Sequence, residues 1–138
     1  MRVAAFAGWS RSGKTTRIVS LIRHLTARGH RVAAIKHTHH ALNDERRGDT
    51  ERFAEAGAMP VILAGDGEAV RLDARNVHRI AFASPVELLA HCGDVDVVLI
   101  EGFKSIDAWP RIDVDDATPT GAEELASILD RIWRFDRT

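Results

Sequence analysis

The fold class this sequence predicts is a three-layer α/β domain with a mainly parallel sheet, and three observations carry it. Short apolar stretches of strand length alternate with amphipathic stretches of helix length. At least two strands are buried on both faces, among them 95–100, where Val97, Val98, Leu99 and Ile100 leave no polar face. Polar clusters follow three of the strands, where ligands of such sheets sit. The 138 residues make one domain, spanning 1–138. A chain of this length buries about two thirds of its unfolded surface.

Residues 2–7 are apolar and short, a buried strand. Ile18, Leu21, Ile22 and Leu25 then recur at helical spacing, and Gly29 is a natural C-terminal stop. Residues 30–36 read as a second strand and 37–48 as a long polar loop, a length that usually signals function. A short helix follows from Asp49-Thr50 to Ala56, ended by Gly57. Residues 60–64 are a third strand. Gly65-Asp66-Gly67 is a turn, with 68–72 its hairpin partner. The pattern of 76–82 fits no single element. Ser84-Pro85 opens a helix reaching about Cys92. Residues 95–100 form a buried strand, 110–114 a last one, and a final helix starts at 120–123 with Leu125, Ile128, Leu129, Ile132 and Trp133 on its apolar stripe.

Within this frame, Gly8-Trp9-Ser10-Arg11-Ser12-Gly13-Lys14-Thr15 is a complete G-x-x-x-x-G-K-[ST] phosphate-binding loop. It sits between a strand and a helix, the context the chemistry requires. Gly8 and Gly13 let the backbone bring its N–H groups against phosphate oxygens. The following helix aims its positive end at the same anion. Lys14 reaches the β/γ-phosphates, and the Thr15 hydroxyl is a ligand for Mg²⁺. The expected fold is therefore a P-loop NTPase domain.

Bulk composition narrows the partners. A formal net charge of −1 makes no electrostatic case for nucleic acid or an anionic membrane. A single cysteine, Cys92, excludes an intrachain disulfide and reads as a small buried hydrophobe. No apolar run approaches a membrane span, and the chain enters its first strand too soon for a signal peptide, so a cytoplasmic protein is expected.

A phosphate-loop site needs an acid at the end of a buried strand to hold Mg²⁺. Glu101 is so placed, whereas Asp96 lies at the other end of the same strand. Gly102 lets the chain turn away close to the phosphates. Lys36 follows a strand that points at the same edge. The run Lys36-His37-Thr38-His39-His40 has metal-ligating residue types, but only His37 and His39 share a face and no third ligand is evident in the sequence. Contact with nucleotide, substrate or a second subunit is the favoured role. Asp49 either caps its helix or completes the Mg²⁺ site. Arg46, Arg47 and Arg52 read as surface charges. No tetrapeptide that selects guanine is present.

Taken together with Gly48-Asp49-Thr50-Glu51-Arg52, Ala56-Gly57-Ala58 and Glu101-Gly102-Phe103-Lys104, these segments resemble, in order, the molybdopterin-guanine dinucleotide biosynthesis protein B (MobB) family. The Lys-His-x-His-His and Glu-Gly-Phe-Lys segments are its specific part. The resemblance implies a GTP-binding accessory protein of molybdenum cofactor biosynthesis. Such a protein is a homodimer with slow Mg²⁺-dependent GTPase activity and assists the guanylyltransferase that joins GMP to molybdopterin. Carried over by position, Gly8 and Ser10, Arg11, Ser12, Gly13, Lys14, Thr15 and Thr16 bind the nucleotide with Lys36 and His37. Thr15 and Glu101 hold the metal, and Lys14, Asp49 and Glu101 serve the chemistry. Arg11 departs from the small residue usual in the family, and the acidic stretch after His40 is abbreviated. A small-molecule kinase, with Asp49 as its base, and a non-catalytic nucleotide-binding adaptor are the rival readings. The polar loops leave the phosphate edge open to water, which suggests a dimer closing over it, with Trp109 either anchoring that contact or packing on its own domain.

Overall fold

In the computed structural model, residues 1–8, 14–39, 42, 48–103, 109–114 and 121–136 are described. Seven strands form a single sheet in the order β5-β4-β3-β2-β6-β1-β7. The strands are β1 (Arg2–Gly8), β2 (Val32–His37), β3 (Val61–Ala64), β4 (Glu68–Asp73), β5 (Asn76–Ala81), β6 (Val97–Glu101) and β7 (Arg111–Val114). From β3 to β7 every pairing is parallel, while β4 and β5 add an antiparallel edge. The ambiguous stretch 76–82 is thus strand β5. Its burial explains the ambiguity, because only Ile80 on that edge strand is buried and no apolar alternation marks it.

The helices are α1 (Lys14–Ala27), α2 (Asp49–Ala56) and α3 (Ala122–Asp136). They lie on one face, where Ile18, Leu21, Ile22, Phe53 and Leu129 pack against Ala4, Phe6, Ala34 and Leu99. The alternate strand residues Ala5, Ala33, Ile35, Val98 and Ile100 face the other way. There the sheet is covered by a 3-10 helix, Pro85–His91, together with Phe82, Phe103 and Trp109. The segment read as a helix after Ser84-Pro85 is therefore a tighter 3-10 turn. The Glu87 carboxylate accepts from the N–H groups of Ala83 and Ser84 at its start. No helix among the described residues is long and apolar enough to cross a membrane.

Register sets up the site. In the parallel β2–β6 pair, Val32 stands beside Val97 and Lys36 beside Glu101. In the β1–β6 pair, Phe6 stands beside Glu101. The carboxyl ends of three neighbouring strands therefore finish together, and α1 begins just beyond the end of β1.

Candidate functional site

Four side chains meet at this edge. Lys36 is the next-to-last residue of β2, on the helical face; Glu101 ends β6 beside it, Thr15 lies in the first turn of α1 and Asp49 opens α2. The Thr15 hydroxyl lies 2.7 Å from Glu101 Oε1 and 3.2 Å from Asp49 Oδ2. It has one proton to donate, which favours the nearer acceptor. Lys36 Nζ donates to Glu101 Oε2 at 2.9 Å and also to Asp49 Oδ2. Burial pushes the Lys36 ammonium down, but its bonds to Asp49 and Glu101 outweigh that and hold it above the ordinary lysine range. Glu101 is among the few buried charged residues, at 5% exposed. Such a carboxylate persists only with a cation and donors around it.

Three side chains that sequence reasoning assigned to this edge from separate segments, Thr15, Lys36 and Glu101, are thus brought into direct contact. Asp49 does not cap its helix. The N-cap of α2 is Gly48, with φ of 67°, and no side chain caps the helix. Asp49 stands one position further in, and its carboxylate turns to Thr15 and Lys36 instead. Lys14 is the first residue of α1 and half-buried, Thr16 accepts from Arg52 Nη2 at 3.3 Å, and Gly8 ends β1. Arg52 is exposed, as read for a surface charge, and its contact reaches Thr16 on α1. Ser10, Arg11, Ser12 and Gly13 lie outside the described residues, as do His40, Arg46, Arg47 and Lys104.

His37 does not join this cluster. Following Lys36 on β2, it projects from the opposite face, where its ring stacks on Phe103 with centroids 4.2 Å apart and planes 11° apart. Its Nε2 lies 3.2 Å from Asp66 Oδ1, and His39 meets its ring edge-on at 4.8 Å. Gly102 makes this approach possible. Its φ is +101°, and a Cβ there would stand 2.8 Å from His37 Cβ. The expectation that His37 lines the phosphate side is thus corrected by strand alternation. Asp66 escaped the sequence reading, because only the pairing of β2 with β3 brings its turn beside the histidines.

Trp109 packs on its own domain. It is 7% exposed and meets Phe103 edge-on at 6.4 Å. Cys92 is buried as expected; burial pushes its thiol up to about 12, leaving it unreactive. Asp96 lies at the amino end of β6, opposite the Glu101 end, accepting from the Arg31 N–H at 2.8 Å.

The donor set at the edge is all oxygen apart from Lys36. A hydroxyl and two carboxylates suit a hard divalent cation such as Mg²⁺. The Lys36 ammonium bridging both carboxylates marks the point where positive charge is required.

Comparison with known proteins agrees with this architecture. The family model described as "Molybdopterin guanine dinucleotide synthesis protein B" matches residues 3–132. The Escherichia coli (strain K12) protein named "Molybdopterin-guanine dinucleotide biosynthesis adapter protein" is 34% identical over 132 residues, covering 92% of this chain and 72% of that one. Its namesake from Haemophilus influenzae is 42% identical over 104 residues, and the match covers 70% of this chain and 54% of that protein. A solved MobB protein homolog from Bacillus stearothermophilus superposes with a TM-score of 0.53 at 19% identity, over 99% of both chains, a likeness of fold.

Proposed function

The chain belongs to the molybdopterin guanine dinucleotide synthesis protein B family, and from that premise we propose a GTP-binding accessory protein of molybdenum cofactor biosynthesis with weak Mg²⁺-dependent GTPase activity. It would assist the guanylyltransferase that attaches GMP to molybdopterin, work as a cytoplasmic homodimer, and use the 138-residue domain as its nucleotide switch. The observation that carries this reading is the Thr15–Lys36–Asp49–Glu101 cluster beside the helix that follows the phosphate loop.

Each residue has a part that its geometry supports. The amino end of α1 and Lys14 receive the phosphates. Thr15 and Glu101 supply the hydroxyl and carboxylate oxygens for the metal, with Asp49 beside them. When bound, Mg²⁺ neutralises phosphate charge and fixes the phosphate geometry. Lys36 holds the two carboxylates close while they would otherwise repel, which keeps the donor oxygens assembled. Asp49 meets both Thr15 and this ammonium through one oxygen, Oδ2.

The test is titration of the full chain with GTP and Mg²⁺, followed by calorimetry. Lys14→Ala should weaken GTP binding about ten- to a hundredfold, the worth of a lost charge-assisted phosphate bond. Glu101→Gln should raise the Mg²⁺ concentration needed for half-maximal binding while nucleotide affinity at saturating Mg²⁺ changes less. Parent-like GTP affinity in Lys14→Ala would sink the proposal. Adding molybdopterin and the guanylyltransferase then tests the accessory role directly, since product formation should rise only in the presence of GTP-competent protein.

A further inference from the structure

His37, His39 and Asp66 form a second polar cluster, His37 projecting from the sheet face opposite α1. One ligand atom of each lies within 4.8 Å of the others. We infer that these three side chains are a binding site for a divalent cation of the zinc class. The inference does not rest on the nucleotide reading, because it concerns other residues and another face.

The residue types select the metal. Two imidazoles and one carboxylate make a borderline-soft set that suits Zn²⁺ or Co²⁺ and discriminates against Mg²⁺. The all-oxygen cluster beside α1 has the reverse preference. Adjacent residues of one strand, Lys36 and His37, thus lead to sites of opposite chemical taste.

Geometry places the ligands before any metal arrives. In the parallel β2–β3 pair His37 stands beside Ala64. Thr38 continues that ladder by donating to the Ala64 carbonyl at 2.8 Å. His39 and Asp66 each lie two residues beyond this pair, so they leave the sheet at the same level. The turn carrying Asp66 is held by the Gly65 N–H, which donates to the Glu68 carbonyl at 2.8 Å. The His37 ring is oriented from behind by its stack on Phe103, which is wedged edge-on between Phe82 and Trp109. Phe103 keeps a left-handed backbone, φ of 53°, to reach that position. A non-glycine residue in that region costs about 1–2 kcal/mol, so the surrounding packing holds it there.

Distances agree with coordination. Ligand bonds of about 2.0–2.1 Å in a tetrahedron set donor atoms roughly 3.3 Å apart. His37 Nε2 and Asp66 Oδ1 already stand 3.2 Å apart. His39 is exposed, and all three donor atoms lie within 4.8 Å of one another. Three protein ligands leave a fourth position for water or a donor atom from a bound molecule.

Metal-stripped full-length protein, held in excess Mg²⁺ and without nucleotide, is titrated with Co²⁺ and read by its visible spectrum. One equivalent should develop the strong bands of a four- or five-coordinate site and lose them on adding one equivalent of Zn²⁺. His39→Ala and Asp66→Asn should each weaken binding by at least about tenfold. Both side chains are exposed, so both variants should fold, which circular dichroism checks. His78→Ala and His91→Ala, on β5 and the 3-10 helix, should match the parent. Zn²⁺ should raise the melting temperature of the parent more than that of Asp66→Asn. Weak octahedral bands alone, or parent-like Co²⁺ affinity in both His39→Ala and Asp66→Asn, would overturn the site.

Discussion

Strands β2 and β6 carry a three-membered charge cluster at each end, and the two clusters behave differently. At the amino end Arg31 pairs with Asp94 at 3.1 Å and Asp96 at 3.6 Å. At the carboxyl end Lys36 pairs with Asp49 and Glu101. Side-chain exposure separates them: 60% for Arg31 and 93% for Asp94, against 23% for Lys36 and 7% for Glu101. Water screens the first cluster, so its contribution to stability is slight. The second is held in a poorer dielectric, where every charge must be matched and an added cation or phosphate is felt strongly. Burial, not the identity of the charges, makes one end of the same two strands a site and the other a solvated edge.

The largest effect expected from this contrast comes from Lys36→Met. It strands the Glu101 carboxylate in a buried position and should cost about 3 kcal/mol in urea unfolding at neutral pH. In a Glu101→Gln background the same change should cost much less, because no buried charge is left behind. Arg31→Ala, its counterpart at the amino end, should barely move the urea midpoint, and 1 M salt should erase what shift there is. Equal losses for Lys36→Met and Arg31→Ala would break the comparison.

A smaller effect is expected from the glycines that end or precede these strands. Gly93 and Gly102 both have positive φ, +74° and +101°. A Cβ at Gly93 would meet nothing within 4 Å, whereas one at Gly102 would stand 2.8 Å from His37 Cβ. Gly93→Ala should therefore cost only the backbone strain, about 1 kcal/mol. Gly102→Ala adds the clash and should cost about 2–3 kcal/mol. It should also weaken Co²⁺ binding by displacing His37. Thermal melts of the two variants side by side would sharpen the contrast, and equal melting temperatures would contradict it.

The smallest effect lies in acid. The Arg31 backbone N–H, more than its guanidinium, holds the Asp96 carboxyl below the ordinary carboxylate value. The unfolded chain then takes up that proton more readily, so Asp96 contributes stability above the ordinary value of 3.8 and loses it as pH falls through its lower folded value. Asp96→Asn should differ slightly from the parent at neutral pH, and the difference should close as pH drops through the carboxylate range. A urea series from pH 7 to pH 2.5 checks this. A gap that stays constant throughout would remove the assigned cause.

Much of the phosphate-side site could be read from residue order alone. A phosphate loop between strand and helix, Lys36 at the end of one buried strand and Glu101 at the end of another all obey rules that hold over short stretches of chain. Asp49 was legible as an acid but not as to role, since a helix cap and a metal-site acid look alike before the helix start is known. The strand at 76–82 was hidden because an edge strand buries one side chain and shows no alternation.

Local spacing by itself determined the alternation of strands and helices, the G-x-x-x-x-G-K-[ST] motif and the class of residue at each strand end. Nearest-neighbour sterics and hydrophobic periodicity act within a few residues, so they are written in the order of the chain. Tertiary structure decided which segments meet. The β2–β6 register set Lys36 against Glu101, and the β2–β3 register carried Asp66 to His37 and His39. The pleat sent His37 to the face opposite Lys36 and Glu101, and core packing took Trp109 inside. These outcomes depend on contacts between residues from about 30 to 65 positions apart in sequence. Which distant pairs touch is a property of the whole packed sheet, minimised together, and no short stretch of sequence contains it.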